Sequence, residues 1–136
     1  MVAKIAADKG PQVVMLGPAL TGEGGIAAVV RAYAQGGLLE QWRVRYLPTH
    51  CHGGKKRKFL QALYSLAQFL WLLMRGKVGA VHVHVASHAS FWRKCIFMLV
   101  ARAMRRPVIF HLHGGGFAHF YQHESSALAR YLIRYL

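Results

Sequence analysis

Four short runs rich in β-branched and aromatic residues alternate along this chain with segments of helical composition, and that alternation limits the fold more than anything else. The runs are "QVVMLG" (12–17), "WRVRYLP" (42–48), "GAVHVHVAS" (79–87) and "VIFHL" (108–112). Between them lie "IAAVVRAYAQGG", an apolar stretch over 58–75 and "SFWRKCIFMLVARAMRR"; "ESSALARYLIRYL" follows the last. Strands separated by helices predict a parallel sheet covered on both faces. Right-handed crossovers then place about four strands in the order 2-1-3-4, an α/β, Rossmann-like arrangement. No internal repeat or low-complexity linker divides the 136 residues, which are enough for one domain with a core.

Charge narrows the chemistry. Eighteen Lys and Arg face four acids, Asp8, Glu23, Glu40 and Glu124, for a formal charge of +14. Such a balance implies an anionic partner and leaves little for a mechanism built on paired carboxylates. Helix-turn-helix, zinc-finger and RNP-like patterns are missing, so no specific nucleic acid is expected. Cys51 and Cys95 form no CxxC, which argues against a disulfide scaffold and for a reducing, cytoplasmic setting. The N-terminal "MVAKIAADKGPQ" lacks the apolar core of a signal peptide. The longest apolar stretch, 59–74, is interrupted by Gln61, Ser65 and Gln68 and falls short of the ~20 residues a span requires.

Two glycine bends are the candidate ligand contacts. "GEGGIA" (22–27) precedes the first helix, where unobstructed backbone amides suit a phosphate. It is not a dinucleotide fingerprint, because Gly22 lies five residues past Gly17 and the second strand ends without an acid. The bend is therefore either a plain turn or a phosphate contact through Gly24 and Gly25. The second bend, "HLHGGGF" (111–117), ends the fourth strand. His84 and His113 fall near the carboxyl ends of their strands, where open α/β sheets bind ligands, and His113 adjoins Gly114. His82 and His111 lie deeper and read as core histidines bonded to backbone.

Side chains two apart share a strand face, so neighbouring third and fourth strands would bring His82, His84, His111 and His113 together. No Asp or Glu falls between Glu40 and Glu124, however, and the expectation is no metal. A nucleophile elbow is also missing.

"KKRK" (55–58) leads into a helix whose polar residues Lys58, Gln61, Ser65, Gln68 and Arg75 form one narrow stripe. Either the wide apolar face is buried by neighbours, or Lys55, Lys56, Arg57, Lys58 and Trp71 hold the chain on an anionic bilayer.

Taken in order, "TGEGGIAAVVRAYA", "VHVHVASHASFWRK", a basic helix and "RRPVIFHLHGGGFAHFY" resemble the N-terminal half of the family-4 (group 1) glycosyltransferases. These are retaining enzymes of two-domain GT-B fold, and the likeness, over roughly 12–123, is to members that build exopolysaccharide and other cell-surface glycans. The resemblance implies that Gly24, Gly25 and Gly114 face the diphosphate and sugar of a nucleotide-sugar donor. It implies a catalytic-cleft role for His113, and acceptor contacts for Arg93, Lys94 and His84. A lipid-linked acceptor at the inner face of the plasma membrane, and a metal-independent transfer without cofactor, follow from the same likeness. The second domain, with its basic pair and E-x7-E motif, has no counterpart, so 1–136 is expected to be a single truncated domain, inactive alone. The alternative is a non-catalytic basic α/β module that binds membranes or polyanions.

Overall fold

The computed structural model describes residues 10–136, so the leader expectation for residues 1–9 lies outside the described residues. The strands are β1 (Gln12–Pro18), β2 (Val44–His50), β3 (Val78–Val85) and β4 (Val108–Leu112). They form one four-stranded sheet, all parallel, in the order β2-β1-β3-β4. The helices are α1 (Gly25–Gln35), α2 (Leu38–Gln41), α3 (Lys55–Met74), α4 (Ala89–Ala103), α5 (Phe117–His119) and α6 (Ala127–Tyr135), with a π-helical turn over Phe120–Glu124. No described helix is long and apolar enough to cross a membrane.

Alternate residues of each strand serve opposite faces. Val14, Leu16, Val81, Val83 and Val85 join Phe69, Leu72 and Leu73 of α3, Phe91, Phe97 and Met98 of α4, and Phe117 and Phe120 in one buried cluster. Met15, His82 and His84 point the other way, toward α1, which contributes buried Ala27 and Val30. Phe69 is fully buried and packs at 5.7 Å on the ring of Phe97. Phe69→Ala is expected to cost about 3–5 kcal/mol. Leu63→Ala on the same helix, half exposed, is expected to cost about 0.5 kcal/mol or less. Urea denaturation of the two variants checks the contrast.

Two boundaries differ from the sequence reading. The second strand does not stop at Pro48 but runs through it to His50. It is an edge strand, where a missing N–H is tolerated, and the ladder shifts register at Gly17/Pro18 opposite. The basic run Lys55–Lys58 is not loop but the first turn of α3.

The larger difference is the rotation of α3. Its polar stripe turns inward: Ser65 is fully buried and donates to the Pro48 carbonyl at 2.6 Å, and the Gln61 amide donates to the same oxygen at 2.9 Å. Those bonds satisfy a carbonyl on the sheet edge. The apolar surface is divided: Phe69, Leu72 and Leu73, beside the stripe, enter the core, while Phe59, Leu60, Leu63, Tyr64, Trp71 and Met74 face out. Burial, the first of the two sequence alternatives, therefore accounts for only part of the wide apolar face.

Candidate anion crevice at the carboxyl end of the sheet

Parallel strands send all their outgoing loops to one end, so both glycine bends leave the sheet on the same side. Two adjoining cavities open there, each about 380 Å³. One is lined by Gly22, Glu23, Gly24, His50, His52, Ser90, Arg93 and Lys94; the other by Val29, Ala86, His113 and Gly114. Gly25 and Ile26 line both.

Gly24 is the N-cap of α1 and supplies no side-chain cap, which leaves first-turn amides for an outside acceptor. A Cβ at Gly24 or Gly25 would meet nothing within 4 Å, so packing does not demand glycine there; the bend leaves open space. Gly114 differs, since its φ of +94° lies where L-residues are strained. Arg31, not anticipated from sequence, holds the approach to the first bend by donating to the carbonyls of Leu20 and Gly22 at 2.7 and 2.5 Å. Tyr46 bonds the Pro18 carbonyl from beneath, and burial pushes its hydroxyl pKa well up.

The basic cavity is the more unusual of the two. Lys94 is 3% exposed, yet among the described residues its ammonium has only the Ser90 hydroxyl as partner, at 2.8 Å. Arg93 is half-buried with an orphaned Nε. Neither pairs with a carboxylate among the described residues; Glu23 stands exposed on the rim. Burial, then the Arg93 charge, brings Lys94 down to about 8. His50 is lowered by burial and by Arg93, Lys58, His52 and Lys94. A buried and a half-buried cation without a counter-charge among the described residues are costly unless an anion joins them. His50 and His52 were missed as site residues because "THCHGGKKRK" after Pro48 read as a basic, glycine-containing loop; their place at a strand terminus was the available signal.

The four strand histidines do converge, since β3 and β4 are neighbours with His84 opposite His111. His82 Nε2 meets His111 Nδ1 at 3.0 Å and His84 Nδ1 meets His113 Nε2 at 2.7 Å. The depth assignments need correction. His82 and His111 are half-buried and bond each other rather than backbone, whereas His84 is fully buried. His84 cannot touch an acceptor as the resemblance implied; it reaches the cavity only through His113. Burial, with the neighbouring imidazoles, lowers His84 to about 3 and also depresses His82 and His113.

Among the expected membrane residues, Lys55, Lys56, Arg57 and Trp71 are exposed. Lys58 separates from them: it is half-buried and its charge acts on His50. Arg75 stacks over the Trp71 ring at 4.8 Å.

Lys94 also sets a pH dependence. Its folded-state proton is lost near 8, whereas an unfolded lysine holds one to about 10.4. Stability from this group therefore rises with pH between those values, and the charged form burdens the fold below about 8. An anion that pairs with it reverses the burden, so sulfate at constant ionic strength is expected to raise Tm at pH 7 and much less at pH 9.5. Thermal denaturation at the two pH values checks this.

Comparison of the chain with protein-family models, with curated proteins and with solved structures found no match.

Proposed function

We propose that the chain is the acceptor-side, Rossmann-like half of a retaining, metal-independent glycosyltransferase of GT-B type. It would transfer a sugar from a nucleotide-sugar donor to a lipid-linked glycan acceptor, docked peripherally on the cytoplasmic face of the plasma membrane. The observation that carries this reading is the pair of glycine bends opening onto adjoining cavities, one of them holding the uncompensated Arg93 and Lys94.

In this reading the cavity of His113 and Gly114 takes the transferred sugar, with the donor diphosphate against Gly24 and Gly25. Arg93 and Lys94 take the acceptor phosphate, and the two substrates meet at Gly25–Ile26. Such a site works by orientation and by stabilising charge that develops on the leaving diphosphate, which explains how a chain with four acids serves. His113 donates a hydrogen bond to the sugar, and His84 fixes its ring. A second domain supplies the rest of the nucleotide site, and the chain alone is expected to turn over negligibly.

The lipid part of the acceptor has support of its own. Arg93 lines both the basic cavity and an apolar groove of about 310 Å³ formed by Phe59, Leu63, Leu66, Trp92, Ile96 and Phe97. A phosphate in the first places an attached hydrocarbon chain in the second. Titration calorimetry tests this: a short prenyl diphosphate is expected to bind at least tenfold more tightly than inorganic pyrophosphate. Equal affinities would contradict the lipid-linked acceptor.

The outward apolar face of α3 also favours a second reading, a non-catalytic α/β module that docks on membranes or polyanions. It predicts vesicle binding with no response of His113 or Gly114 to nucleotide sugars.

A further inference from the structure

We propose that His82, His84 and His111 form a binding site for a divalent transition-metal ion of the zinc class, one layer beneath the crevice and apart from the transfer chemistry. One ring nitrogen from each lies within 4.8 Å of the others. Two come from alternate positions on β3 and the third from the neighbouring strand, so a rigid sheet rather than a loop carries the set.

The hydrogen bonding assigns the free valences. His84 Nδ1 is engaged by His113 Nε2, while His84 Nε2 is buried and has no hydrogen-bond partner. That is the arrangement of a metal ligand whose second nitrogen is oriented by an outer residue. The facing nitrogens of His82 and His111 are 3.0 Å apart, close to the ~3.3 Å that separates two imidazole nitrogens bound at about 2.05 Å to a tetrahedral ion. The proton they share moves to the outer nitrogen of the same ring, so the neutral pair offers two lone pairs without net proton release. The widest gap closes by roughly 1.5 Å through ring rotation. All-imidazole ligation suits zinc, copper and nickel ions and not magnesium or calcium, which need oxygen donors. The fourth tetrahedral position is left for water. A bound ion would lock the His84 ring and, through it, the orientation of His113 in the crevice.

The test uses the whole chain without a polyhistidine tag, stripped with chelator and titrated with cobalt(II), then zinc. One cobalt per chain with intense tetrahedral absorption, displaced by zinc, is expected, as are zinc-induced shifts of the ring ¹⁵N signals of His82, His84 and His111. His111→Phe and His111→Gln are each expected to weaken binding at least a hundredfold. Weakening by His119→Ala/His123→Ala instead would overturn the proposal, since those two rings lie 4.9 Å apart elsewhere. No stoichiometric binding at micromolar metal, or zinc shifts confined to other histidines, would overturn it equally. Because the readout is metal binding, its failure leaves the transferase reading standing, and the converse holds too.

Discussion

Replacing Lys55, Lys56 and Arg57 by glutamine lowers binding to phosphatidylglycerol vesicles roughly a hundredfold, at about 1 kcal/mol for each basic residue near an anionic surface. The three side chains are exposed on the first turn of α3, directly before the outward Phe59, Leu60, Leu63 and Trp71. The two parts of the surface separate by salt. Raising ionic strength weakens the basic contribution, because it acts over a Debye length of about 10 Å at 0.1 M. Alanine at Phe59, Leu63 and Trp71 weakens what salt leaves behind. Lys58→Gln is expected to change vesicle binding least of the four and to weaken anion binding near His50. A co-sedimentation series with these variants checks all three statements. Vesicle binding unchanged by the triple substitution would remove the membrane from the account.

Lys94→Met is expected to move two quantities in opposite directions. Pyrophosphate affinity is expected to fall at least tenfold, because the wall of the cavity loses a buried ammonium. Stability in the absence of anion rises, with Tm higher by a few degrees, because an apolar chain of similar length replaces a buried charge that has only the Ser90 hydroxyl for company. A lysine kept for packing would show neither effect, and one kept for an internal ion pair would lose stability on substitution. The gain in Tm should shrink as pH rises above about 8, where Lys94 in the folded protein has already lost its proton. Calorimetric titration and thermal melts of the same pair of proteins decide it.

The parallel sheet was legible in the sequence because it follows from period and alternation, local properties of the chain, whereas its order rested in addition on the handedness of the crossovers. The convergence of the histidines was legible only conditionally: two-residue spacing puts His82 and His84 on one face, but the neighbour of β3 is a matter of topology. The rotation of α3 was not legible. A polar stripe usually turns to solvent, and here Gln61 and Ser65 turn inward with Phe69 and Leu72 by satisfying the Pro48 carbonyl of the edge strand, a partner that exists only once the sheet has formed. The extension of β2 through Pro48 has the same origin, since edge position excuses the proline. Arg93 and Lys94 were picked out through the resemblance, whereas their shared cavity with His50 and His52 required the strand ends to be brought side by side.

If the transferase reading holds, the bends at 24–25 and 114–116 act on one ligand. An amide-resolved NMR titration of the chain with a panel of nucleotide sugars measures it most directly. Gly24, Gly25 and Gly114 are expected to shift together with the His113 ring, with one dissociation constant fitting all four curves. Curves that require different constants, or a response confined to one bend, would contradict it.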